Sequence, residues 1–163
     1  MKKIKLYGKG GEGKFVLVDN EDYIKYNKYH LRLKNSYAFM EVWKNGKRKH
    51  IYLHRLIMDC PKGMNIDHID HNRLNNQKFN LRICTTKQNI ANQKIRIDNT
   101  SGYSGVHWSN VAKKWQAVIS INGINKYIGI FDNKRHAALA RDLWAKDLYK
   151  DYAHLNFRPI STI

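Results

Sequence analysis

Short apolar runs dominate the first third of the chain. KFVLVD from Lys14, YHLRLK from Tyr29 and YAFMEVW from Tyr37 predict strands in a β-rich stretch over residues 15–58. Asn45-Gly46 separates FMEVWK from RKHIYLH, and that pair suits a two-residue hairpin turn. His54 to Met58 predicts a short helix, and Pro61 and Gly63 then break the pattern. Residues 64–93 predict a strand ending near Ile66, a loop rich in Asn and Asp, a short strand Leu81–Cys84, and a helix. Thr85 and Gln88 have the spacing of a capping box at the start of that helix. It carries Asn89, with Gln93 on the same face. Residues 96–103 read as a linker. Beyond it, Lys114 to Ile121 alternates: Trp115, Ala117, Ile119 and Ile121 share one face, and Gln116, Val118 and Ser120 the other. Asn122-Gly123 turns this strand into Ile124–Phe131. Asn133 predicts a helix cap. Ala137, Ala140, Trp144 and Leu148 recur every three or four residues, as on one helix face. Trp115 and Trp144 are therefore expected in a core, while Trp108 fits either an exposed stacking residue or a core or sheet-edge aromatic. The fold class is α+β.

Charge adds the partner. The chain has 163 residues, 30 Lys and Arg against 13 Asp and Glu, and a formal net charge of +17. Residues 1–66, 67–100 and 101–163 each carry a positive excess. A solubilising surface needs far less, so a nucleic-acid polyanion is the expected partner. With no apolar run of about 18 residues, no membrane span is expected. MKKIKLYGKGGEGK has basic residues without an apolar stretch after them, which predicts a cytoplasmic protein. Cys60 and Cys84 are spaced for neither zinc nor a redox pair and are expected to be reduced and buried.

The chemistry concentrates in DHIDHNRLNNQKFNLRICTTKQN, from Asp67 to Asn89. Hydrolysing a phosphodiester needs a base to make the nucleophile and a cation to hold the phosphate oxygens. Asp67-His68 is followed by Asn80, thirteen residues beyond the Asp, and Asn89, twenty-two beyond it. That spacing, with the flanking LHRLIM, NLRICT and QNIANQ, resembles the HNH endonucleases over about residues 50–95, particularly the homing endonucleases of phages and bacterial mobile elements. The resemblance implies a ββα-metal module around one divalent cation. Asp67 and Asn89 would ligate it, and oxygen ligands suit Mg²⁺ or Mn²⁺. His68 would be the general base, and Asn80 would hold the loop and orient His68. Arg82 would either reach a phosphate or pair within the fold. His54 is expected in packing or phosphate contact, and His71 in solvent.

The C-terminal part resembles the APETALA-type DNA-binding domain of plant ethylene-response factors over about residues 102–157. The matching pieces are Gly105-Val106, Lys114-Trp115, Tyr127 to Phe131, the Ala137-Ala138 helix and Leu155-Asn156-Phe157. The resemblance implies a three-stranded antiparallel sheet on one helix, its open face in the major groove. Ser104, His107, Gln116, Val118, Ser120, Asn125 and Tyr127 would face DNA. Ser and Asn stand where the plant pattern has arginines, so no base preference carries over. Lys113, Lys114 and Lys126 would contact phosphates. The expected organisation is a β-rich segment with the nuclease module in 1–95, a linker in 96–103 and a DNA reader in 104–163. The expected function is a site-directed endonuclease acting on double-stranded DNA. It would nick as a monomer with no obligate protein partner, in the cytoplasm of a bacterial host. The rival reading is a non-catalytic DNA-binding regulator with a decayed nuclease module.

Overall fold

The computed structural model describes residues 1–157. Arg158 and Pro159 of the expected tail, and the end of the 104–163 segment, lie outside them. The chain divides into two compact units, one from Met1 to Thr86 and the other from Lys87 onward. The fold is mixed α/β, with several small antiparallel sheets and few helices.

The first unit begins with strands β1 (Lys2–Lys5) and β2 (Phe15–Val18), paired antiparallel. Helix α1 (Asn20–Tyr26) follows. Strands β3 (Arg32–Lys34), β4 (Tyr37–Lys44) and β5 (Lys47–Tyr52) form a meander. Asn45 and Gly46 make its second turn with φ of 53° and 69°, a left-handed pair that the Asn-Gly sequence tolerates. Helix α2 (Leu53–Ile57) leads to strands β6 (Asn65–His68) and β7 (Leu81–Cys84), an antiparallel pair joined through a single 3-10 turn at Lys78–Asn80. Ile4, Leu6, Val16, Val18, Leu31, Ala38, Met40 and Leu53 form the core. The strand pattern met most of these elements, but β1 and α1 were not expected. Each is short and carries charge on its exposed positions, so neither has an apolar run to announce it.

Helix α3 (Thr86–Ala91) opens one residue after Thr85. It ends before Gln93, so Asn89 and Gln93 do not share a helix face. In the second unit, β8 (Val106–Ser109), β9 (Lys114–Ile121) and β10 (Ile124–Phe131) form an antiparallel sheet in the order β10-β9-β8. The turn between β9 and β10 is again left-handed, at Asn122 and Gly123. Helix α4 (Lys134–Tyr149) is capped by Asn133, whose side chain accepts from Arg135 N at 2.8 Å. Val106, Ala117, Ala137 and Ala138 are the buried contact between sheet and helix.

One expectation fails in this layer. Trp144 is 40% exposed and lies under Lys126 Nζ, 4.3 Å from its ring centroid. Leu148 is exposed as well. The buried helix face is Ala137, Ala138, Arg141, Asp142 and Ala145. Small residues let the helix approach the sheet closely, and an indole would hold it off. Trp115 is half-buried against that core and meets Trp108 edge-on, with ring centroids 5.2 Å apart.

Candidate functional site

Strand β6 runs through Asp67 and His68 rather than ending at Ile66, so both side chains stand on a strand instead of in the loop. Asp67 and His68 are 6% and 5% exposed. The β6–β7 register places Arg82 opposite Asp67. Its Nη2 lies 2.6 Å, and its Nε 2.8 Å, from Asp67 Oδ2, a two-pronged pair. Of the two readings of Arg82, pairing within the fold is what the geometry contains.

The loop after His68 is held by amides and one carboxylate. Asn80 Oδ1 accepts from Asp70 N at 3.0 Å, and Asn80 Nδ2 donates to Asp70 Oδ1 at 2.9 Å and to Asn75 O at 2.8 Å. Asn75 Nδ2 donates to Asp70 Oδ2 at 2.7 Å. Burial opposes ionisation of Asp70, but donors from Asn75, Asn72 and Asn80 outweigh it and hold its carboxyl below the usual carboxylate range. Asn80 therefore holds the loop, as expected. It does not orient the His68 ring. That contact belongs to Asn76, whose Oδ1 lies 2.9 Å from His68 Nε2. The partner is invisible in the sequence, because Asn72, Asn75 and Asn76 are the same residue type in one loop and nothing local tells them apart.

His54 and Tyr37 line the histidine ring, with centroids 5.4 and 5.9 Å away. His54 is packed and buried, and stacks on Tyr52 at 5.7 Å. Burial pushes its imidazole down to about 3, helped by His68 and Arg55. Burial also lowers His68, and the bond to Asn76 and the nearby Asp70 and Asp67 carboxylates partly restore it. Burial thus favours the neutral form of both rings, and a neutral ring is what a base requires. His71 is half-buried rather than solvent-exposed.

Asn89 is half-buried on α3 and belongs to the second unit. Asp67 and Asn89, the expected ligands, would each offer oxygen. Cys84 is buried with its thiol pushed up to about 11, and Cys60 is also free of a disulfide. Cys84 is buried as expected, whereas Cys60 is only half-buried. Among the described residues no group of three or more His, Cys, Asp or Glu is set to hold a metal ion. Oxygen is the donor type that a hard divalent cation takes.

The residues expected to face DNA lie in the second unit. His107, Ser120, Asn125, Lys126, Tyr127, Lys113 and Lys114 are exposed, and Ser104, Gln116 and Val118 are half-buried. Lys114 forms a surface pair with Asp132 at 3.0 Å. Asn156 closes the layer: its amide bonds Ser104 N and O at 2.7 and 3.1 Å and Asp142 Oδ1 at 3.0 Å.

A family model described as HNH endonuclease matches residues 52–91. An uncharacterised HNH endonuclease of Acanthamoeba polyphaga mimivirus is 31% identical over 149 residues, covering 90% of this chain and 76% of its own. A candidate HNH homing endonuclease, YosQ, from the SPbeta prophage of Bacillus subtilis is 42% identical over 67 residues, 38% of each chain. A solved structure of DNA binding and cleavage by the HNH homing endonuclease I-HmuI is 25% identical over 75% of each chain, at a TM-score of 0.37, which is too loose for an argument from geometry.

Proposed function

The chain belongs to the HNH endonuclease family, and from that premise we propose that it hydrolyses phosphodiester bonds of double-stranded DNA using one divalent cation. The observation that carries the reading is the pair Asp67 and His68, adjacent on one short strand, both buried, each held by its own partner. In this reading β6, β7 and α3 are the ββα-metal module. Asp67 and Asn89 would hold Mg²⁺ or Mn²⁺, which would supply charge stabilisation for the phosphate and the leaving 3′ oxygen. His68 takes the proton from the attacking water. Arg82 offsets the charge of Asp67 and keeps its carboxylate in one orientation. Asn80 fixes the loop through Asp70 and Asn75. Monomeric nicking, with 5′-phosphate and 3′-hydroxyl ends, is part of the proposal, because one such module holds one reaction centre.

The second unit is proposed as the reader, an APETALA-type layer. Gln116, Val118 and Ser120 of β9, with Ser104, His107, Asn125 and Tyr127, meet base edges, and Lys113, Lys114 and Lys126 meet phosphates. The proposed organisation is nuclease and β-rich segment in 1–95, linker in 96–103 and reader in 104–163. Homing relatives and a net charge of +17 support DNA as the polyanion.

Supercoiled plasmid and phage genomic DNA, incubated with Mg²⁺ or Mn²⁺, test the reading. Nicking that needs the metal and disappears in His68→Ala is the expected result. Tight, salt-sensitive binding without any cleavage under either metal points instead to a DNA-binding regulator.

A further inference from the structure

Asn76 is fully buried. Buried amides normally satisfy their polar atoms, but Asn76 Nδ2 finds no hydrogen-bond partner among the described residues. A leucine of similar size would fill the place without an orphaned donor. What a leucine would not supply is the side-chain bond Asn76 does make, from its Oδ1 to His68 Nε2 at 2.9 Å.

That bond has a direction. An amide oxygen only accepts, so Nε2 carries the hydrogen and, in the neutral ring, Nδ1 holds the free lone pair. We propose that Asn76 is the positioning residue of the histidine base: it fixes the tautomer in which His68 Nδ1 is the basic nitrogen, and it fixes the rotation of the ring. This rests on the reading of His68 as the base.

Asn76 is itself placed by the N-terminal segment. Leu17 N donates to Leu74 O, and Asn76 N donates to Leu17 O, both at 2.8 Å. Leu17 and Asn75 form an isolated parallel bridge, so the loop is tied to β2 at this point. Just beyond, Asp19 accepts from Gln77 Nε2 at 3.3 Å and from Lys78 N at 2.8 Å, and Lys78 pairs with Glu21. Residues 17–21 thus hold the loop through the backbone of Asn76 and the residues beside it. The β-rich N-terminal stretch is then part of the machinery of the base.

The test compares Asn76→Leu and Asn76→Asp with the wild-type chain. A carboxylate keeps an acceptor toward Nε2 and preserves the tautomer, as Asp does for catalytic histidines. Ring ¹⁵N NMR at pH 8, with the His68 resonance identified by its loss in His68→Ala, reads the tautomer directly. Wild type and Asn76→Asp are expected in the Nε2–H form, and Asn76→Leu in a mixture. In plasmid nicking with Mn²⁺, Asn76→Leu should lose on the order of 10²-fold in kcat, with KM within about twofold. Asn76→Asp should recover most of that loss. The Tm of Asn76→Leu should stay within about 3 °C of wild type, since a purely structural amide would cost more. An Nδ1–H ring in the wild type overturns the proposal. So does an Asn76→Leu variant with the wild-type tautomer and rate. If Asn76→Leu fails to fold, loss of the Nε2–H form in Asn76→Asp overturns it and retention supports it. A wild type that does not nick DNA defeats the catalytic reading, while the spectrum still decides whether Asn76 sets the ring.

Discussion

The loop from Ile69 to Asn80 and the sheet–helix layer of the second unit are assembled by different forces. The layer is held by small apolar faces: Val106 and Ala117 press on Ala137 and Ala138. The loop adds Leu74 to the core of the first unit but is otherwise mostly polar. It is held by Asp70 at its centre, with Asn75, Asn72 and Asn80 donating to it. Burial of apolar surface is non-directional, so the layer tolerates a shifted side chain. A polar network is directional: each bond fixes where its donor and its acceptor must sit. The difference teaches where precision is placed. Side chains that must be aimed, His68 and Asp67, sit beside the network, and the proposed reader sits on the layer.

The strongest way to sharpen this contrast is to remove a side chain that ties the network together at three points. Asn80→Ala takes away three side-chain bonds, and the loop should lose about 3 kcal/mol. The Ile69 and Asp70 amides should then exchange with solvent far faster, while those of β9 stay protected. Equal exchange in both places would mean the loop is held by something else. Next comes the pH response of the buried ring. His54 is neutral when folded and has an ordinary pKa near 6.5 when unfolded, so the unfolded chain binds a proton first as pH falls. Its contribution is complete above pH 6.5 and is lost as pH falls toward about 3. His54→Phe should flatten that decline in urea titrations and, by removing the unpartnered Nδ1, leave the protein at least as stable at neutral pH. A steeper decline would contradict the burial argument. In the layer, Asn156→Ala should cost about 2 kcal/mol, because Ser104 and Asp142 lose their partner together. The smallest effect is expected from Trp144→Ala. An exposed indole should cost under about 1 kcal/mol, whereas a core tryptophan would cost about 3 to 5. A large loss there would restore the reading of Trp144 as core.

Legibility in the sequence follows the same division. Asn45-Gly46, Asn122-Gly123, Asn133 and the strand Leu81–Cys84 were readable because their signals are local. Each is a turn, a cap or a short apolar run that acts within a few residues. The Asp-His motif was readable as a spacing. Its supports were not. Arg82 meets Asp67 only through the β6–β7 register, and Asn76 meets His68 only because β2 grips the loop from the other end of the unit. Trp144 was misread because helical spacing names a face by its large residues, and this helix buries its small ones together with Arg141 and Asp142.

The central claim, that His68 is the base of a phosphodiester hydrolysis, is tested most directly by chemical rescue. His68→Gly, folded as the wild type by NMR, should lose plasmid nicking by about 10²-fold or more, and added imidazole should restore part of the rate. Nicking by His68→Gly at the wild-type rate without imidazole would contradict the account.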